Sequence, residues 1–290
     1  MQHPDLVLLL ITGLVIGSIY ALISLGFNVI YRTTGVINFA QGEFVMIGGV
    51  VAAWSYALLD GRLAHGLLLV AAVAAGMLAA ALTGVLLDLL AIRPLRNAGP
   101  VMYVIATIGA SIVIRAAVSL VWGTEPFHLP LPEQTVALGS SSFALHQLLI
   151  LPVAAVCMLL LTLFFRRTRV GQAMQACAEN AEAARLCGVR TARMSTLAFG
   201  VSALLGGIGG ILVTPALSMS YDGGTMLGLK GFAAAILGGI GNPVGGVLGG
   251  LLIGVLEQVS CWYSSLYKDT LALAIVVVIL LVRPKGLLRR

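Results

Sequence analysis

Charged residues are scarce in this 290-residue chain. Asp, Glu, Lys and Arg together make up 10% of it, whereas soluble globular domains carry roughly one quarter. Hydrophobic residues account for 59%, and the mean hydropathy is +1.04. So few charges cannot cover a soluble domain with polar surface, and the composition therefore predicts an integral membrane protein.

Residues typical of metal, redox and catalytic sites are also few. The four cysteines form no CxxC pair and the four histidines form no HExxH pattern, so we expect no metal site and interpret the cysteines as small apolar residues. No lysine follows the GxxxxG of a phosphate-binding loop, and no Ser/His/Asp set or carboxylate pair is placed for hydrolysis. The sequence thus predicts no catalytic residue and no cofactor, and it does not favour an enzyme.

Apolar tracts of about twenty residues fill most of the chain, each near the length that an α-helix needs to cross a bilayer. They predict an all-α polytopic bundle of about eight or nine hydrophobic segments in a single transmembrane domain, residues 1–290. Polar residues interrupt the apolar pattern at 33–43, and Gly and Pro interrupt it within 228–254. Interrupted segments in both halves indicate broken or re-entrant helices beside a transport pathway.

Basic residues are distributed unevenly along the chain, and cytoplasmic loops accumulate them. Thirteen of the seventeen fall on one predicted side, which places the N-terminus outside and the C-terminus inside. The net charge of +6 is explained by this topology, so we expect no nucleic-acid partner. The thirteen are Arg32, Arg93, Arg96, Arg166, Arg167, Arg169, Arg185, Arg190, Arg193, Arg283, Lys285, Arg289 and Arg290.

The longest polar segment, 166–193, contains six of those arginines against only Glu179 and Glu182. Its centre is rich in helix formers, Asn180 can cap a second short helix, and Gly188 stands where a helix would end. We predict one or two short cytoplasmic helices with a small apolar face. Two interpretations stay open: a solvated loop that only fixes topology, or a surface that binds a partner.

Five ionisable residues lie inside apolar tracts, where they are functional candidates by default. Asp88 is expected to be an interfacial anchor near Arg93, and Arg115 is expected to pair with an acid. The polar group at 38–43 either lines a translocation route or holds helices together by hydrogen bonds. The same two possibilities apply to Lys230 and Glu257. The candidates for the translocation path are Asn38, Gln41, Gly42, Glu43, Lys230 and Asn242.

Several motifs in order resemble the permease of branched-chain amino acid ABC importers over nearly the whole chain. They are GSIYAL from Gly17, NFAQGE from Asn38, the loop 171–188, KGFAAAILGGIGNPVGG from Lys230 and RPKGL from Arg283. Within the loop, Glu182-Ala183-Ala184 followed by Gly188 resembles the EAA loop of ABC permeases, although the Ile-x-Leu-Pro ending is missing.

The resemblance implies a permease of the bacterial inner membrane that pairs with a homologous second permease. It also implies two ATP-binding cassette ATPase subunits and an external solute-binding protein as partners. The ATPase-coupling residues would be Glu179, Glu182, Ala183, Ala184, Arg185 and Gly188. A urea or short-amide ABC permease, and a stand-alone secondary transporter or channel, are the alternatives.

Overall fold

The computed structural model describes residues 6–62, 64–95, 98–131, 135–138, 141–263, 268–283 and 286–288. Of the predicted cytoplasmic basic residues, Arg96, Lys285, Arg289 and Arg290 lie outside the described residues. The helices are α1 Leu6–Thr34, α2 Gln41–Leu59, α3 His65–Leu87, α4 Pro100–Trp122, α5 Leu145–Arg167, α6 Arg169–Glu179, α7 Ala181–Leu186, α8 Thr191–Leu217, α9 Gly223–Gly238, α10 Pro243–Tyr263 and α11 Lys268–Val282. A π-helical turn, Asp88–Ile92, follows α3.

Seven helices among the described residues are long and apolar enough to cross a membrane: α1, α2, α3, α4, α5, α8 and α10. Two further helices are shorter, α9 with 16 residues and α11 with 15. An antiparallel hairpin of β1 Thr135–Leu138 and β2 Ser141–Ala144 lies between α4 and α5. The predicted all-α polytopic membrane bundle is confirmed, while its orientation and the predicted eight or nine hydrophobic segments stay predictions.

Glycine faces bring α1 and α10 together. A methyl group on Gly13 would lie 2.8 Å from Val255 Cα, and one on Gly17 would lie 2.7 Å from Leu251 Cα. From the other side, Gly254 faces the backbone of Gly13 and Gly17. The four-residue glycine spacing on each helix thus allows the two backbones to touch, as small residues do in membrane helix pairs.

This contact gives a prediction with a matched control. Alanine is about 1 kcal/mol better than glycine inside a helix, but overpacking costs about 1–3 kcal/mol. Gly17→Ala is therefore expected to lower the unfolding temperature in detergent. Gly109→Ala, whose new methyl group would meet nothing within 4 Å, is expected to leave it unchanged or raise it. Equal unfolding temperatures would contradict backbone contact at Gly17.

Both predicted interruptions separate helices. Gln41, the first residue of α2, contacts Ser202, eleven residues into α8, which is about 16 Å along that helix. In the second half, α9 ends at Gly238 and α10 begins at Pro243, with positive φ at Gly239 and Gly241. Asn28 Oδ1 accepts a hydrogen bond from the Gly241 N–H at 2.7 Å, so α1 holds this turn in place.

Candidate functional site

The polar segment 166–193 folds as two short helices, as predicted. The first, α6, buries Gly171, Met174 and Cys177 against the bundle. A methyl group on Gly171 would lie 2.7 Å from Phe165 Cα, so α6 packs directly on the end of α5. Burial raises the pKa of the Cys177 thiol, which therefore stays protonated and packs as an apolar side chain. Helix α6 is thus packed firmly against the bundle, and α7 follows it directly in the chain.

The second helix, α7, is stabilised at both ends. Asn180 Oδ1 accepts hydrogen bonds from the Glu182 and Ala183 N–H groups, each at 3.0 Å. At the other end Gly188 has a φ of +84°, and its N–H donates to the Arg185 carbonyl at 3.0 Å. The predicted cap and the predicted terminator are both confirmed. Glycine is favoured at Gly188 because other residues rarely adopt a positive φ.

Only Ala184 of α7 is buried, at 5% exposure, and the other side chains of this helix are exposed. Leu186 is 90% exposed. The remaining coupling candidates, Glu179, Glu182, Ala183, Arg185 and Gly188, are all exposed. A rigid helix of six residues that presents an apolar tip and two charges to its surroundings is an unpartnered surface.

Asp88, the first residue of the π-helical turn after α3, is hydrogen-bonded to the start of α8. It is 1% exposed, and its carboxylate accepts hydrogen bonds from the Ser195 and Thr196 hydroxyls, each at 2.6 Å. Arg93 donates to the Thr196 hydroxyl at 3.2 Å. Asp88 is thus buried and binds the first turns of α8, while its predicted role as an interfacial anchor stays a prediction. It also lines a cavity that reaches Arg185 on α7.

The polar residues at 38–43 do not form one network. Glu43, 2% exposed, accepts hydrogen bonds from Ser111 at 2.8 Å and from Arg115 at 3.1 Å, both on α4. The predicted pairing of Arg115 with an acid is thereby confirmed. Glu43 also lines a cavity with the rings of Phe27, Phe39 and Phe232.

The other polar residues of the segment 38–43 contact other parts of the structure than Glu43 does. Gln41 Nε2 donates to the Ser202 carbonyl at 3.2 Å, and the Ser202 hydroxyl donates to Gln41 Oε1 at 2.7 Å. Asn38 Oδ1 accepts from the Ala40 N–H at 3.0 Å and so shapes the turn before α2. Gly42 lies against Gly224 and Gly228 of α9. These contacts hold α2 to α8 and α9.

The pair of Arg115 and Glu43 gives a second prediction. Glu43 is buried, while the Arg115 side chain is 31% exposed. Removing the arginine leaves the buried carboxylate without its opposite charge, which costs up to about 3–5 kcal/mol, whereas replacing both partners with neutral groups is often tolerated. Arg115→Met is expected to destabilise the protein strongly in detergent unfolding assays. Adding Glu43→Gln to that variant is expected to recover most of the loss. A double variant no more stable than Arg115→Met would show that the pair is not what holds α4 to α2.

A second polar cluster lies between α1, α9 and α10. Lys230 Nζ donates to Glu257 Oε1 at 2.9 Å and to the Tyr20 hydroxyl at 3.1 Å, and that hydroxyl donates to Glu257 Oε2 at 2.6 Å. The structure thus brings Lys230 and Glu257 together, with Tyr20 as a member of the cluster that the sequence did not indicate. All three side chains are less than 10% exposed.

This cluster forms part of a cavity that is also lined by the connection between α8 and α9. The other walls are mainly aliphatic: Ile16, Ile19, Val213, Leu217, Met226 and Leu227. The sixth path candidate, Asn242, lies elsewhere. Its side chain accepts a hydrogen bond from the Gly245 N–H at 3.2 Å and so caps α10.

The family described as branched-chain amino acid transport system / permease component matches residues 9–281. The high-affinity branched-chain amino acid transport system permease protein LivH of Escherichia coli K12 is 38% identical over 96% of this chain and 94% of its own length. Its counterpart BraD of Pseudomonas aeruginosa is 37% identical, over 97% and 95% of the two chains.

More distant similarity extends to the ribose import permease protein RbsC of Escherichia coli K12, 26% identical over 90% of this chain and 82% of its own. No solved structure matches the chain at a significant level. The high identity over nearly full length, the apolar helices and the glycine-broken segments agree. This multi-pass membrane protein belongs to the family of branched-chain amino acid transport system permease components.

Proposed function

We propose that this chain is the membrane-spanning subunit of an ATP-driven importer for branched-chain amino acids. The observation that carries the proposal is α7, a short helix capped at both ends that presents Glu182, Arg185 and the 90% exposed Leu186 outward. Such a surface suits a partner that pushes on it. The similarity to LivH and BraD over nearly full length supplies the substrate class.

The partners follow from what the chain contains. It has a candidate coupling surface in 166–193 but no phosphate-binding loop, so ATP hydrolysis belongs to separate ATPase subunits, two for a paired permease. The importer also needs a homologous second permease and an external solute-binding protein, and it works in the bacterial inner membrane. Closure of the ATPases moves α7, and the bundle switches between outward-facing and inward-facing states.

The proposed translocation path runs past the polar residues at both helix interruptions. The first group is Asn38, Gln41, Gly42 and Glu43, and the second is Lys230 and Asn242. The support is their position beside broken helices and, for Glu43 and Lys230, on the walls of cavities. Interrupted helices suit this role because their packing can change at small cost to regular backbone hydrogen bonds.

The proposal is tested by purifying the chain from its native membrane and identifying what accompanies it. We expect an ATPase to co-purify, and ATP hydrolysis to rise when leucine, isoleucine or valine is supplied with the binding protein. If only urea or ribose stimulates ATP hydrolysis, the substrate is that compound and not a branched-chain amino acid. Uptake by the chain alone, abolished by a protonophore and independent of ATP, would overturn the ATP-driven assignment.

A further inference from the structure

We propose that the cluster of Lys230, Glu257 and Tyr20 is a receptor for the charged groups of an α-amino acid. In this site the Lys230 ammonium binds the solute carboxylate and the Glu257 carboxylate binds the solute ammonium. The inference rests on the proposed function and adds the groups that recognise the solute. It also gives the buried ion pair a role beyond packing.

Lys230 and Glu257 place opposite charges side by side on two helices. Lys230 and Glu257 face each other at 2.9 Å, with side chains 9% and 5% exposed. They lie on different helices, α9 and α10, so a small relative movement of these helices would separate them. A solute with one positive and one negative group can enter between them, and each charge then meets an opposite one.

The second step is the cost of the alternatives. Before and after the solute enters, the site carries no net charge. An amine or a carboxylic acid alone would leave one charge uncompensated in an apolar interior, which is strongly unfavourable. The site therefore selects zwitterions and rejects molecules that bear only one of the two groups.

The third step is the shape and polarity of the cavity. Above the pair, the walls contain Ile16, Val213, Leu217 and Leu227. Aliphatic walls favour an aliphatic solute side chain, because each buried methylene contributes about 0.8 kcal/mol. The Tyr20 hydroxyl, which accepts from Lys230 and donates to Glu257, holds the pair in register when the solute is absent.

Irregular backbone borders the cavity that contains the pair. Lys230 is the eighth residue of the 16-residue α9, a helix that starts beside the connection from α8. In that connection Ser218 has a φ of +54°, and Met219 pairs with Phe127 of the loop after α4. Ser218 and Met219 line the same cavity as Lys230 and Glu257.

The main test compares the double variant Lys230→Met with Glu257→Gln with the wild-type complex in membrane vesicles that contain the ATPase and the binding protein. This variant removes both charges at similar volume. If the pair binds solute, the variant should assemble and keep basal ATP hydrolysis but lose leucine uptake by about 10- to 100-fold, the size expected for lost charged hydrogen bonds. Uptake within about twofold of wild type would mean that the pair is structural, and would overturn the inference.

A second measurement does not depend on the double variant folding. Met226 lines the cavity and is 47% exposed, so Met226→Cys gives a thiol that a maleimide can label, with the wild type as background for the native cysteines. Leucine is expected to slow this labelling at least about fivefold, the effect of occupying most sites. Isopentylamine and 4-methylpentanoate should not slow it. Equal protection by either analogue, or no protection by leucine, would overturn the zwitterion site.

Failure of the inference and failure of the proposed function are distinguishable. If the wild-type complex and the variant without the two charges both import leucine, only the zwitterion site is refuted. A wild-type complex that imports no branched-chain amino acid refutes the proposed function itself.

Discussion

Leu186→Glu is expected to abolish ATPase co-purification and solute uptake without changing the stability of the chain. The side chain is 90% exposed, so the folded permease loses no packing, and surface changes of this kind usually stay within about 0.5 kcal/mol. An apolar residue at the centre of an interface, in contrast, often contributes about 2 kcal/mol or more to binding. The expected loss of bound ATPase is therefore at least about 30-fold. Quantifying the ATPase that accompanies the purified permease checks this.

The matched control places the same charge on the neighbouring helix. Ala178 is exposed on α6, and Ala178→Glu adds a carboxylate to the same polar segment, 166–193. We expect it to retain the ATPase, and Leu186→Met to retain it fully. If Ala178→Glu loses the ATPase as completely as Leu186→Glu, added negative charge is responsible and α7 is not the specific contact. If Leu186→Glu still binds and transports normally, α7 does not couple at all.

The features that the sequence predicted best are those whose signals are local. Asn180 and Gly188 indicate the two ends of α7 because capping depends on backbone groups within a few residues. The spacing of Gly13 and Gly17 indicates close helix contact from the sequence alone, because residues four apart share one face of a helix. The partner of that face, Gly250 and Gly254 on α10, had its own glycine spacing but nothing that linked it to α1.

The partners of the charged residues were harder to predict, because they lie far apart along the chain. Tyr20 and Glu257 are 237 positions apart, and a tyrosine inside an apolar helix is indistinguishable from a packing residue. The hydrogen bonds of Ser111, Ser195 and Ser202 could not be predicted for a similar reason, since a single hydroxyl hardly changes an apolar pattern. Arg115 was expected to find an acid, but which acid depended on how α4 packs against α2.

The partners of Asp88 could not be predicted from its neighbours in the sequence. Arg93, five residues away, suggested an interfacial anchor, and the hydroxyls that satisfy the carboxylate come from α8, more than one hundred positions later. The π-helical turn at Asp88–Ile92 adds one residue to the helical repeat. That turn changes which side chains face α8, and no residue pattern in the sequence predicts it.

The same contact leads to the second large expected effect. Asp88→Leu is expected to uncouple ATP hydrolysis from transport, because Asp88 joins the π-helical turn to the first turns of α8, the helix that directly follows the loop containing α7. Two charge-assisted hydrogen bonds at 2.6 Å are lost, each contributing about 1.5–3 kcal/mol. The variant should retain the ATPase, hydrolyse ATP without a response to solute, and take up solute at least about tenfold more slowly than wild type.

A double-mutant cycle separates this role from general destabilisation. Ser195→Ala removes one of the two hydrogen bonds and leaves Thr196 in place. If Asp88 acts through α8, adding Ser195→Ala to Asp88→Leu should lower uptake little further, since residues that act through one contact are not additive. Losses that multiply would show that the two residues act independently. Asp88→Asn, which keeps the shape and one acceptor oxygen, should fall between wild type and Asp88→Leu in coupling, and an Asn variant as uncoupled as Leu would indicate that charge alone transmits the movement.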